Sequence, residues 1–272
     1  MDERAIGVFD SGVGGLTVLR ALREALPRES FVYLGDTARL PYGTKGPLTV
    51  RRYADQAVAH LVARGVKMVV IACNTASAVA VEHLRSRLNP VPVLGVIEPG
   101  ARALCAATRA KNVAVLATPG TVMGGAYEEA IARIDPTTTV TSIACALFVS
   151  LAEEGWASGP VAEAAIDAYL RPLLSPSTGA PTVDALMLGC THFPILRDAI
   201  EGYLGPNVEV VDSAVAAASA VREELHARGL ETTSAAGSLQ FLATDAPERF
   251  AEIGRCFLGG SLAVADVERI DL

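Results

Sequence analysis

The sequence is poor in several residue types and patterns, and each shortage excludes a class of protein. Charged residues make up 19% and aromatic residues 5% of the 272 residues, whereas 51% are hydrophobic, so the chain has the apolar content of a folded core. Lysine occurs only at Lys45, Lys67 and Lys111 and the net charge is -7, which argues against a nucleic-acid partner. No run of about 18 apolar residues is present, which argues against a membrane span. Residues 2–4 are charged, and the apolar core of a secretory signal is not seen, so we expect a cytoplasmic protein.

Cysteine is scarce and scattered, which excludes two further classes. The five cysteines are odd in number and form no C-x-x-C pair, so we expect neither a disulfide framework nor a zinc site, and reduced thiols fit better. Apolar or helical surroundings predict that Cys105, Cys145 and Cys256 are small buried side chains. Polar residues flank Cys73 and Cys190 instead, so these two thiols are candidates for a catalytic role.

The known phosphate-binding motifs are also absent. Asp10 opens a glycine-rich turn after the first predicted strand, but Thr17 stands where the third glycine of a dinucleotide fingerprint is needed. An aspartate at the mouth of this turn would repel phosphate. It could instead bind an ammonium group or accept a proton from a nearby thiol. The alternative is that Asp10 caps the following helix.

What the sequence contains is an alternation of short apolar runs and amphipathic stretches. Runs of valine, isoleucine and leucine without polar alternation are typical of strands buried on both faces, and strand–helix alternation predicts parallel α/β sheets. The charge-free run 136–152 is interpreted as a buried strand that enters a helix. Predicted strands are 5–9, 31–34, 67–72, 91–96, 112–117, 140–144, 183–188, 208–211 and 239–243, and predicted helices include 48–63, 75–88, 161–174 and 215–228.

A faint internal duplication runs through these elements. The strand–turn–helix pattern around Asp10 returns around Thr118, that around Cys73 returns around Cys190, and that around residues 96–99 returns around 210–213. The three pairs occur in the same order and at similar separations. We therefore predict two similar parallel-sheet α/β domains, related by a pseudo-two-fold axis, with a cleft between them. A polar turn after every apolar strand could produce part of this similarity by chance, but chance does not explain a cysteine at the same point of both copies.

Ligands of open α/β sheets bind beyond the carboxyl ends of the strands, and this is where Cys73 and Cys190 fall. A helix N-terminus favours the thiolate. Two thiols facing each other across a cleft form an acid–base pair: one removes a proton from a carbon, and the other returns a proton to the opposite face, which inverts a stereocentre. The alternative is that both are buried hydrophobic side chains.

Other polar residues near the two cysteines are weaker candidates. His192 follows Cys190 closely and could assist its ionisation, whereas a lone histidine is more often structural. Glu153 either reaches the cleft or ends a solvated helix. The turn Pro41-Tyr42-Gly43, together with Ser11, could bind a carboxylate or be an ordinary turn.

These motifs in combination resemble the glutamate racemase family, within the cofactor-independent aspartate/glutamate racemases. The resemblance extends in order from about residue 6 to residue 213. The segments that carry it are 7–18, 35–39 with 41–43, 72–77, 97–100 and 188–194.

The resemblance implies a fold, a reaction and a set of site residues. It implies racemisation of glutamate without pyridoxal phosphate or metal, D-glutamate supplied for peptidoglycan, and often a homodimer. With the duplication, it predicts a first domain of residues 1–96 plus 213–272 and a second of 97–212. Carried over, the catalytic residues are Cys73 and Cys190, with Asp10 assisting Cys73, and His192 and Glu153 assisting Cys190. The substrate site would consist of Asp10, Ser11, Pro41, Tyr42, Gly43, Asn74, Thr75, Thr118, Thr121, Thr191 and His192.

Two alternatives stay open at this point. The chain could racemise aspartate or another amino acid, although histidine after the Cys190-Thr191 pair favours glutamate over aspartate relatives, which tend to carry an acidic residue there. It could also be a module that binds a small carboxylate or a partner protein without turnover, but such a module would need neither cysteine.

Overall fold

The structure is a computed structural model that describes residues 2–179 and 181–272. Within these residues the chain forms strands and helices in near alternation. The strands are β1 (Ile6–Asp10), β2 (Phe31–Gly35), β3 (Met68–Ile71), β4 (Val93–Gly95), β5 (Asn112–Ala117), β6 (Thr139–Ala144), β7 (Ala185–Gly189), β8 (Glu209–Asp212), β9 (Leu239–Ala243) and β10 (Val267–Arg269). The helices are α1 (Leu16–Ala25), α2 (Pro47–Ala63), α3 (Asn74–Leu88), α4 (Ile97–Ala107), α5 (Pro119–Met123), α6 (Ala126–Ile134), α7 (Ala146–Glu153), α8 (Pro160–Leu170), α9 (Arg197–Leu204), α10 (Ser213–Arg228) and α11 (Pro247–Leu258).

The strands form two sheets in which every neighbouring pair is parallel. One sheet has the order β10-β9-β2-β1-β3-β4 and the other the order β6-β5-β7-β8. The predicted fold of two parallel-sheet α/β domains is therefore confirmed. The order β2-β1-β3-β4 in the first sheet corresponds to β6-β5-β7-β8 in the second, so β1 matches β5 and β3 matches β7. This correspondence supports the predicted duplication.

Strand burial follows position in the sheet. The central strands β1, β3 and β7 are buried along their whole length, as their unbroken apolar sequences predict. The prediction that residues 136–152 begin with a buried strand is wrong in one respect. β6 lies at a sheet edge, and its residues are half-buried or exposed because only β5 pairs with it.

The predicted elements match the observed ones except where a strand has no apolar run or a proline ends a helix. β5 and β9 have the predicted bounds, and most other ends shift by one or two residues. β10 was missed because a three-residue strand containing Glu268 and Arg269 has no apolar run to recognise. The predicted helix 161–174 stops at Leu170 and continues as a short 3₁₀ segment that contains Pro172, because proline cannot donate the next helical hydrogen bond.

The chain returns to the first domain through α10, whose ends have clear chemical causes. Asp212 Oδ1 accepts hydrogen bonds from the backbone N–H groups of Ala214 and Val215, which caps the helix start. Gly229 ends the helix with φ 63°, a conformation that glycine adopts without strain. α10 then packs against α1.

The apolar core is continuous between the domains. One cluster of buried side chains joins Val13 and Leu16 of the first domain with Cys190 and Phe193 of the second, while two further clusters each lie within one domain. We propose the division at residues 96 and 212. It is supported by the strands of the first sheet, which all lie before residue 96 or after residue 213, and by those of the second, which all lie between them.

Two other features of the chain bear on the predictions from sequence. In the part of the chain that the structure describes, no helix combines the length and apolar character needed to cross a membrane. Cys145 is buried as predicted, but Cys105 is only half-buried and Cys256 is exposed. Cys256 lies on the outer face of α11, so its helical context did not mean burial.

Candidate active site

Cys73 and Cys190 occupy corresponding places in the two domains. Cys73 follows β3 and Cys190 follows β7, and each side chain is almost entirely buried, with 5% and 6% of its surface exposed. Both thiols line one cavity between the domains. The other residues that line it are Ser11, Gly12, Leu40, Pro41, Tyr42, Gly43, Asn74, Thr75, Thr118, Val149, Glu153, Thr191 and His192. The structure thus brings together most of the residues singled out in the sequence, whereas Asp10 and Thr121 lie just behind the cavity wall.

Cys73 sits at the start of α3 in a polar pocket of the first domain. Its Sγ accepts a hydrogen bond from the Ala76 N–H at 3.4 Å, and Ser11 hydrogen-bonds to the same thiol. Burial, reinforced by the nearby Asp10 carboxylate, raises the pKa of Cys73 to about 12. This thiol is therefore protonated at neutral pH.

Asp10 lies behind Cys73 and is completely buried. Its Oδ2 accepts a hydrogen bond from the Gly12 N–H at 2.9 Å, whereas Oδ1 has no hydrogen-bond partner within the described residues. Burial raises the pKa of the Asp10 carboxyl. The alternative that Asp10 caps α1 is wrong, because Gly15 occupies the N-cap position and no side chain caps this helix.

On the opposite side, Cys190 faces an imidazole–carboxylate pair. His192 Nδ1 lies 3.9 Å from Cys190 Sγ, and His192 Nε2 lies 3.1 Å from Glu153 Oε1. Burial by itself would lower the pKa of His192, but its interactions with Cys190 and Glu153 outweigh burial and raise the pKa to about 10. The hydrogen bond to His192 in turn lowers the pKa of Glu153. At neutral pH the pair is an imidazolium and a carboxylate.

Three hydroxyl groups meet where the domains approach each other. Thr75 of the first domain lies 2.9 Å from Thr118 and 3.2 Å from Thr121, and the latter two are 3.1 Å apart, measured between their Oγ1 atoms. Gly43 packs directly on Thr118, since a Cβ on Gly43 would stand 2.6 Å from Thr118 Cβ. The carboxylate-binding loop predicted around Gly43 therefore reaches the second domain.

Sequence reasoning missed several residues that hold the site in place. Tyr127 Oη donates to Asn74 Oδ1 at 2.7 Å, which leaves the buried Asn74 Nδ2 without a partner among the described residues. Thr17, noticed in the sequence only as a missing glycine, donates to the Thr191 carbonyl at 3.0 Å across the domain interface. The Tyr42 hydroxyl donates to the buried carboxylate of Asp36. Asp36 lies in segment 35–39, which carries part of the family resemblance, and this resemblance could have marked Asp36 as a site residue.

Two wider cavities elsewhere lack the groups that make this one reactive. Both are lined in part by α10, and they share Arg102 and Glu223. Among their described lining residues there is no cysteine or histidine. The cavity between the two thiols, although narrower, is therefore the better candidate for catalysis.

Comparison with known proteins agrees with this geometry. Residues 6–221 match the family described as Asp/Glu/Hydantoin racemase. The chain is 48% identical to the glutamate racemase of Geobacter metallireducens, over 100% of this chain and 98% of that one. It superposes on glutamate racemase RacE1 of Bacillus anthracis with a TM-score of 0.94 at 33% identity, covering 100% and 99% of the two chains. It superposes on glutamate racemase of Francisella tularensis in complex with D-glutamate with a TM-score of 0.91 at 36% identity, covering 100% and 98%. The chain therefore belongs to the Asp/Glu/Hydantoin racemase family, an isomerase family, and groups with its glutamate racemases.

Proposed function

We propose that this protein interconverts L- and D-glutamate with the two thiols Cys73 and Cys190, one of which removes the α-proton while the other donates a proton to the opposite face of the same carbon. The observation that carries the proposal is that both cysteines, after corresponding strands, line one secluded cavity between two domains. The relatives with which the chain groups are glutamate racemases, and the one from Francisella tularensis binds D-glutamate.

The charges around the two thiols suit one direction of the reaction. Cys73 is a thiol at neutral pH and can donate a proton, while Cys190 Sγ lies 3.9 Å from Nδ1 of the His192 imidazolium. Cys190 as thiolate removes the α-proton of one enantiomer, and Cys73 protonates the opposite face of the same carbon. The other enantiomer requires a Cys73 thiolate, which a substrate ammonium group near Asp10 would favour by offsetting its negative charge.

The biological role proposed here follows the family resemblance. D-glutamate made by this reaction would supply peptidoglycan synthesis, and thereby cell wall biogenesis and cell shape. The cytoplasm is the proposed location because both thiols must stay reduced. The homodimer stays a prediction. Expression of this chain should let a bacterium that requires added D-glutamate grow without it, and failure to do so would contradict the role.

The direct test is proton NMR of L-glutamate in D2O with the purified protein, together with circular dichroism. We expect the α-proton signal and the optical activity both to disappear, since each inversion replaces the α-proton with one from a solvent-exchanged thiol. EDTA should leave the rate unchanged, because thiol proton transfer needs no metal.

The controls separate a wrong substrate from a wrong function. If glutamate is unchanged and aspartate loses its α-proton, the chain is an aspartate racemase. If neither amino acid changes, the protein binds without turnover and the proposal is wrong.

Replacing Tyr127 with phenylalanine should weaken glutamate use by about fivefold, as expected for one buried hydrogen bond. The tyrosine hydroxyl donates to Asn74 Oδ1 and so fixes the amide of a residue that lines the cavity. Without it the amide can rotate, so we expect KM to rise more than kcat falls, as measured by racemisation kinetics. Tyr203→Phe is the matched control, because the Tyr203 hydroxyl bonds Asp167 outside the cavity lining. Equal effects of the two variants would contradict this role of Tyr127.

A further inference from the structure

The helix α11 belongs to the first domain but contacts the second domain at the active site. It follows β9 of the first sheet and lies close against α1, since a Cβ on Gly254 would stand 2.8 Å from Leu16 Cδ1. The helix is therefore fixed to the first domain. Two of its side chains, Arg249 and Phe257, reach residues on the Cys190 side of the cavity.

Phe257 packs against the imidazole of His192. The phenyl ring is fully buried, its centroid is 5.2 Å from that of the imidazole, and the two planes make an angle of 74°. This edge-to-face contact restricts rotation of the imidazole. The contact therefore favours the orientation in which Nδ1 faces Cys190 and Nε2 faces Glu153.

Arg249 approaches Glu153, the residue that pairs with the other nitrogen of His192. Its terminal nitrogen lies 3.6 Å from Glu153 Oε2, while Oε1 of that carboxylate pairs with His192 Nε2 at 3.1 Å. The Glu153 carboxylate thus lies between two cations, one from each domain. The Arg249 side chain is 61% exposed, so its charge acts in contact with solvent and is screened by salt.

We propose that α11 is a positioning element for the Cys190 half of the reaction, in which Phe257 orients the His192 ring and Arg249 holds the Glu153 carboxylate in place against His192. The proposal rests on the two-thiol function proposed above. Neither Arg249 nor Phe257 lines the cavity, so both act through other residues. Because both contacts lie on the Cys190 side, their loss should affect the enantiomer that Cys190 deprotonates.

The test measures each half-reaction separately. A glutamate analogue with chloride on the β-carbon needs only one base: the thiolate breaks the α C–H bond, chloride leaves with its bonding electrons, and a C=C bond forms. Cys190→Ala should abolish elimination from one enantiomer of this analogue. With that enantiomer, Arg249→Gln should react about three- to fivefold more slowly than the unaltered protein, as expected for the loss of a solvent-exposed ion pair. Phe257→Leu should react about tenfold more slowly. The other enantiomer should react at the unaltered rate.

The pH profile provides a readout that a merely structural role would not change. The charged groups facing Glu153 are His192 and Arg249, and those facing His192 are Cys190, Asp10 and Glu153. Arg249 contributes to the lowered pKa of Glu153, so its loss lets the carboxyl keep its proton to higher pH. The acidic limb of the Cys190-dependent rate should therefore move to higher pH in Arg249→Gln, and the difference from the unaltered protein should shrink in high salt.

Two further variants complete the design. Arg249→Lys keeps the positive charge and should restore the rate to within about twofold. Glu252→Gln changes an exposed residue of the same helix and should behave as the unaltered protein. Equal loss with both enantiomers, or no loss in Arg249→Gln and Phe257→Leu, would overturn the proposal. If the unaltered protein exchanges no α-proton at all, the two-thiol function itself has failed.

Discussion

Replacing Cys73 with alanine should lower racemisation of glutamate by at least about 10³-fold while one enantiomer still loses its α-proton to the remaining thiol. Racemisation needs a base on one face of the α-carbon and an acid on the other. Alanine removes one of these groups and leaves the second with its surroundings intact. Cys190→Ala should cause a comparable loss but spare the opposite enantiomer.

Elimination from the two enantiomers of the β-chloro analogue measures this asymmetry. One enantiomer should react with Cys73→Ala and only the other with Cys190→Ala, as followed by release of the keto acid after hydrolysis of the product. Cys105→Ala is the matched control, because Cys105 is a half-buried thiol on α4 outside the cavity lining. Full racemase activity in Cys73→Ala, or equal losses with both enantiomers in each variant, would mean that the thiols do not act as two opposed bases.

The fold could be predicted because its signals are local. Buried central strands such as β3 and β7 are unbroken apolar runs, and the turn after each carries a cysteine with polar neighbours. The repeated order of these elements also predicted two domains of the same kind. The edge strand β6 and the short strand β10 depend on which strand lies beside them, so the sequence alone gave weaker or misleading signals.

The reactive groups were the most predictable part of the site, because they stand where a strand ends. Asp10 is the last residue of β1, and Cys73 and Cys190 follow β3 and β7, so topology brings them to the same edges of the two sheets. The contacts of Thr17 and Tyr127 depend on how one domain packs on the other. No local pattern encodes that packing, which is why these residues were missed.

Gly14→Ala should reduce kcat/KM by about 10²-fold or more, although the substitution adds only a methyl group. A Cβ at this position would stand 2.4 Å from both His192 Nδ1 and Thr191 Oγ1, closer than atoms can approach. The imidazole cannot yield, because the Phe257 ring packs against it and Glu153 holds its other nitrogen. The methyl group must therefore push the domains apart or move Nδ1 away from the Cys190 thiol.

Comparing the loss of activity with the loss of stability distinguishes a geometric effect on catalysis from a general loss of folding. Overpacking of this kind costs about 1–3 kcal/mol, so thermal unfolding should show a folded but less stable protein whose activity has fallen far more than its stability. Gly202→Ala is the control, since a Cβ there meets no atom within 4 Å and α9 should tolerate it. If Gly14→Ala retains activity, the His192–Cys190 geometry tolerates a shift. In that case the close contact between the domains at Gly14 serves packing and not the proton transfer.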